Sequence, residues 1–130
     1  MKKILILEDE ESVGNLERDI LKREGFEVTL AEIGKEAIEL LDTKSFDTVI
    51  IDLLMPGPVN GFDVIEWIKQ YKKEMLNKVI ISTGNCVRPT TREFIDKSGV
   101  GAVLIKPFRL DQLISTVKKV VKKYKKVVKK

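Results

Sequence analysis

At 130 residues the chain is one domain by length, large enough to bury a core without disulfides or a structural metal. It has no histidine and one cysteine, Cys86, which excludes Ser-His-Asp catalysis, His-ligated zinc and an internal disulfide, and fits a reducing compartment. The formal charge of +4 is uneven: residues 118–130 (KKVVKKYKKVVKK) hold eight lysines and no acid, leaving −4 on the other 117 residues, so the body is acidic.

Apolar runs alternate with segments of helical period. Lys3–Leu7 reads as a first strand. A helix is predicted over Ser12–Arg23, with Val13, Leu16, Ile20 and Leu21 on its inner face and Gly25 closing it. Phe26–Ala31 is a second strand, Lys35–Asp42 a second helix with Ala37, Ile38 and Leu41 inward, and Asp47–Ile51 a third strand. Met55-Pro56-Gly57-Pro58 interrupts regular structure. Asn60-Gly61 then precedes a helix to Lys73, with Phe62, Ile65 and Ile68 on one face, and Lys78–Ile81 is a fourth strand. Thr90–Lys97 reads as a short helix, Ala102–Ile105 as a fifth strand, and everything after Leu110 as helix. No stretch approaches the roughly 20 apolar residues of a membrane span. Only four apolar residues follow Met1-Lys2-Lys3, too few for a secretory core, so a cytoplasmic protein is expected.

This is an α/β (βα)₅ pattern. Right-handed crossovers place helices on both faces of a five-stranded parallel sheet. The flavodoxin-like doubly wound order 2-1-3-4-5 opens a crevice between strands 1 and 3, at the carboxyl ends where such sheets bind ligands. Four strands end in residues that phosphate chemistry can use. ILIL (4–7) runs into Glu8-Asp9, VII (49–51) into Asp52, VII (79–81) into Ser82-Thr83, and VLI (103–105) into Lys106-Pro107. Three carboxylates at one crevice repel unless protonated or bridged by a cation. An oxygen-only donor set selects a hard ion, and a shallow loop-built site suits Mg²⁺. A carboxylate can also act as nucleophile, with phosphoryl charge met by the metal, by Lys106 and by the Thr83 hydroxyl. Gly84 leaves room and offers a backbone N–H.

In this order and spacing, ILILEDE, VIIDLLMP, VIISTG and LIKPF resemble a response-regulator receiver (CheY-like) domain of two-component signalling, over nearly the whole chain. The resemblance implies Asp52 as phosphoacceptor and Mg²⁺ bound by Asp9, Asp52, Glu8 through water and the Leu54 backbone carbonyl. It implies Thr83 as switch hydroxyl, and Lys106 as phosphoryl contact before a cis bond to Pro107. The donor would be a sensor histidine kinase or histidine phosphotransfer protein. Output would pass to a protein target through the fourth helix, fifth strand and fifth helix, a face that could also form a homodimer. The segment TTREFIDKSG resembles receivers of hybrid sensor kinases and hints at a phosphorelay. The expectation is a stand-alone signalling switch, one receiver domain over 1–130 with no output domain, not a turnover enzyme.

Three departures from the family pattern stand out. Val103 occupies the place of the usual switch aromatic. The intervals Asp52–Gly61 and Thr83–Lys106 are each one residue longer than usual, with the surplus assigned to Gly57–Asn60 and Asn85–Thr90. Apolar Leu54 cannot orient an attacking water, which implies a long-lived phosphoaspartate; Asn85 is the other residue placed to influence dephosphorylation.

Two other functions fit parts of the pattern. One is a receiver-like binding module that is not phosphorylated. The other is a Mg²⁺-dependent phosphatase of the haloacid-dehalogenase type, which wants a second acid where Leu54 stands. Glu8 and Asp9 could cap the first helix, Trp67 reads as core or half-buried packing, and Cys86 as a plain loop thiol. Leu110, Leu113, Val117, Val120, Tyr124 and Val127 form a heptad seam widened by Ile114, Val121 and Val128. Either the last helix simply lies on the sheet, or its basic end serves a partner. Nucleic acid is the weakest such partner, since the tail has no arginine and no recognition fold.

Overall fold

The structure, a computed structural model, describes residues 1–84 and 88–128, with the side chains of the last helix as far as Lys122. Asn85 and Cys86, the side chains of Tyr124, Val127 and Val128, and the end of the lysine tail lie outside the described residues.

Five parallel strands form one sheet in the order β2-β1-β3-β4-β5. They are β1 (Lys3–Leu7), β2 (Glu27–Ala31), β3 (Thr48–Asp52), β4 (Val79–Thr83) and β5 (Ala102–Ile105). β-Branched runs suit this position because both faces of a parallel strand are covered. Every residue of β3 and β4 is buried, whereas edge strands β2 and β5 are only partly so.

Alternation along each strand divides the core in two. Ile4, Ile6, Ile50, Ile80 and Leu104 pack against α1 (Glu11–Arg23) and α5 (Leu110–Val128). Leu5, Leu7, Val49, Ile51, Val79 and Ile81 pack under α2 (Gly34–Thr43) and α3 (Gly61–Tyr71), with Phe94 and Ile95 of α4 (Pro89–Ser98) joining from the side. Trp67 is half-buried on α3 against Tyr71, as expected.

Helix starts near the sheet edge are set locally. The Asn60 side chain accepts from the Asp63 N–H (3.1 Å) and Asp63 accepts from the Asn60 N–H (2.9 Å), a capping box that fixes the start of α3. The next residue must be glycine, since a Cβ on Gly61 would collide with the Asp52 carbonyl oxygen. Pro89 opens α4, and Gly99, with φ of 80°, closes it in the left-handed region.

Two expectations need correction. The third helix ends at Tyr71, and a 3₁₀ turn over Lys73–Lys78 leads into β4, so neither the helix to Lys73 nor the strand start at Lys78 holds. On α1, Leu16 faces outward at 51% exposure; the buried residues are Gly14, Glu17 and Leu21. Gly14 lies on the buried face, where a Cβ would meet Glu8 and Leu30 at 3.7 Å, an ordinary van der Waals contact. Residues three and seven positions later follow it onto that face.

Candidate functional site

Strand register brings the polar ends together. Ile6 pairs with Ile50, so Glu8, one step beyond β1, lies beside Asp52; Asp52 pairs with Ser82. All three lie on the α1–α5 face by alternation. Glu8 and Asp52 are 4% and 8% exposed, so the carboxylates are sunk into the edge rather than set in a shallow loop. One oxygen each from Glu8, Asp9 and Asp52 lies within 4.8 Å of the others.

Lys106, just past β5, crosses to meet them. Its Nζ donates to Glu8 Oε1 at 2.7 Å and to Asp52 Oδ2 at 3.1 Å. The remaining oxygens take backbone donors: the Leu54 N–H donates to Asp52 Oδ1 (3.1 Å), the Glu10 N–H to Glu8 Oε2 (3.2 Å). Glu8 thus satisfies the backbone where α1 begins as well as the lysine; Glu10, not Asp9, is the N-cap residue.

The energetics follow from burial. Desolvation holds Glu8 and Asp52 above their usual carboxylate range despite the Lys106 ammonium, and Asp9 adds to the rise on Asp52. Burial pulls Lys106 down, but its bond to Glu8 and the charges of Asp52 and Glu8 outweigh that, so it stays firmly cationic. One ammonium serves two buried carboxylates with a third beside them. The net negative, oxygen-only cluster fits a hard dication such as Mg²⁺.

Thr83 is fully buried at the end of β4, and its carbonyl accepts the Lys106 N–H at 3.0 Å. The Lys106–Pro107 bond is cis. Gly84 is exposed, and a Cβ there would only touch Lys106 at 3.8 Å, so space is not what demands the glycine. The Leu54 side chain is 49% exposed. Val103 and Ile105, 37% and 56% exposed, line a cavity of about 160 Å³ with Arg92, Ile95 and Asp96.

Residues 4–118 match the family described as the response regulator receiver domain. The chain belongs to that family. It is 32% identical over 95% of its length to the regulatory protein VanR of Enterococcus faecium, and 28% identical over 89% to the CAI-1 autoinducer sensor kinase/phosphatase CqsS of Vibrio cholerae. The chain spans 52% of the first relative and 17% of the second. Among solved structures, the response regulator TrrA of Thermotoga maritima in complex with Mg(2+)-BeF superposes with a TM-score of 0.78. The two share 32% sequence identity, covering 92% of this chain and 99% of that one. Among the described residues, no helix is long and apolar enough to cross a membrane.

One residue of this receiver's site escapes sequence reasoning, and a second, Ser82, is named there without a role. Glu17 sits on the inner face of α1 at 3% exposure, and burial together with the Glu8 charge raises its carboxyl to about 7. Ser82 Oγ is buried with no hydrogen-bond partner among the described residues. Strand alternation puts Ser82 beside Asp52; Glu17 gave no signal, because a glutamate within a helix reads as surface.

Proposed function

We propose that Asp52 accepts a phosphoryl group from a sensor histidine kinase or a histidine phosphotransfer protein, making the chain a cytoplasmic, Mg²⁺-dependent signalling switch rather than a turnover enzyme. One observation carries the reading: a buried aspartate shares a single ammonium with one carboxylate and lies within 4.8 Å of two.

An Asp52 carboxylate oxygen attacks phosphorus, the new P–O bond forms, and the P–N bond to the donor histidine breaks. Lys106, already on Asp52, turns to a phosphoryl oxygen, while the Thr83 hydroxyl and the Gly84 N–H take others. Glu8 through water, Asp9, Asp52 and the Leu54 carbonyl would hold Mg²⁺. The bound cation would neutralise charge on the transferring group. TrrA, solved with Mg(2+)-BeF, supports that assignment.

The charge added at Asp52 draws Thr83 inward and re-sets the surface of α4, β5 and α5, where Thr83, Val103 and Pro107 lie on the path to a protein target or a second copy of the chain. The lysine-rich segment 118–130 belongs to the same unit as the receiver, and residues 118–128 of it form the end of α5.

The test is to incubate the protein with Mg²⁺ and a small acyl phosphate and weigh it intact. A phosphate-sized gain that disappears in Asp52→Asn is expected. No gain identifies an inert binding module. Steady release of phosphate without accumulation identifies a phosphatase.

A further inference from the structure

The phosphoryl chemistry leaves Glu17 unused. This carboxyl, one turn below Gly14 on the inner face of α1, makes no hydrogen bond or ion pair among the described residues. A leucine of similar volume would pack the same face without the desolvation cost of a carboxylate. What Glu17 faces is Lys106. The two side chains line one cavity of about 370 Å³ between α1 and the β5–α5 turn, otherwise walled by Val13, Leu16, Pro107 and Phe108 with Leu110 at its edge. The lysine charge reaches the carboxyl, lowering it against the rise from burial.

In the arrangement present, the ammonium has two acceptors above the cavity, Glu8 and Asp52. During phosphoryl acceptance Asp52 gives up its carboxylate charge and Glu8 would turn toward a bound cation, so the ammonium has to leave both before a phosphoryl oxygen takes it up. Between those contacts a lysine on a four-carbon stem is free to swing to solvent unless another anion holds it. Glu17 is the anion on the interior side.

We propose that Glu17 is a positioning residue, a buried third acceptor across the α1–Lys106 cavity that holds the ammonium at the acceptor edge when Glu8 and Asp52 release it. This rests on Asp52 being the phosphoacceptor. It adds a residue of α1 to a site otherwise built from strand ends and the turns that follow them, and ties α1 to the β5–α5 turn.

A double-mutant cycle on the full chain tests it, using Glu17→Leu, Lys106→Met and the pair, with Glu17→Gln alongside. Thermal unfolding without metal or phosphate donor comes first. Lys106→Met is expected to lower Tm by about 2–4 °C more in the wild-type background than in Glu17→Leu, because only the former keeps a carboxyl that loses its cation. Acyl-phosphate labelling with Mg²⁺, followed by intact mass, comes second. Glu17→Leu is expected to melt higher than wild type yet gain phosphate about three- to tenfold more slowly. Glu17→Gln, which keeps a carbonyl acceptor, recovers part of that rate, and Glu17→Leu makes no further difference in Lys106→Met.

A slower rate in a more stable protein is an effect packing alone would not produce. Additive effects in both cycles, or an unchanged rate in Glu17→Leu, overturn the proposal. If wild type gains no phosphate, the acceptor reading fails instead, and the melting cycle still decides whether Glu17 and Lys106 are coupled.

Discussion

The two faces of the sheet handle their carboxyl edge in opposite ways. On the α1–α5 face, Glu8, Asp52 and Ser82 stand side by side in one row, with Glu17 beneath, all at least nine-tenths buried. On the α4 face Thr83 is sealed in, while Val103 and Ile105 beyond it stay exposed beside a cavity. Burial without matching partners raises the free energy of a charged group, so the first face is poised to exchange a proton, a cation or a phosphoryl group. The second face holds its hydroxyl tightly and offers loosely covered apolar surface, which suits contact with another protein. The charged row and the loosely covered apolar surface thus lie on opposite sides of a sheet one residue thick, with Lys106 next to both.

The largest way to break this division is Lys106→Met. Phosphate gain by intact mass is expected to slow about 10²–10³-fold, as when one preorganised charge is removed from a transition state. If the loss is only a few-fold, the charged row does not drive the reaction.

Glu17 provides the next test, through pH. Its carboxyl lies near 7 in the folded protein against 4.5 when free, so between those values the folded state holds the extra proton. Stability therefore falls as pH rises from about 4.5 to 7, by about 3 kcal/mol in total, and stays low above that. Denaturant unfolding of wild type and Glu17→Leu is expected to agree most closely near pH 5. The gap in favour of Glu17→Leu widens by about 3 kcal/mol at pH 8. A constant gap would mean that Glu17 does not titrate in the interior.

The rotation of α1 can be checked by truncation. Leu21→Ala is expected to cost about 3 kcal/mol, and outward Leu16→Ala under about 1 kcal/mol. Equal costs would restore the helix face read from hydropathy.

The smallest effect belongs to the α4 face. Ile105→Ser is expected to change stability by no more than about 0.5 kcal/mol and leave the phosphorylation rate within about twofold. A sedimentation or pull-down assay on the phosphorylated protein is the measurement it should alter. A large drop in labelling would show that the two faces are not separable.

Most of the site was legible because strand chemistry is local. A short β-branched run declares a buried strand, and the polar residue that ends it, as at Asp52, Thr83 and Lys106, has to emerge at the sheet edge. The 2-1-3-4-5 order and the cis Lys106–Pro107 bond both stand as read. The 3₁₀ turn was not legible, because KEMLNK carries the same composition as a helix end.

By itself, the sequence determined which residues line the crevice: a period of two leaves no choice of face once a strand lies in a two-sided sheet. It did not determine which face of α1 looks inward. Val13, Leu16, Ile20 and Leu21 make one stripe, Gly14, Glu17 and Leu21 another, and hydropathy favours the first. Packing chose the second, setting Gly14 over Glu8 and Leu30, and Leu21 in the core against the sheet. That rotation buries Glu17 beside Lys106, a placement decided by tertiary contact alone.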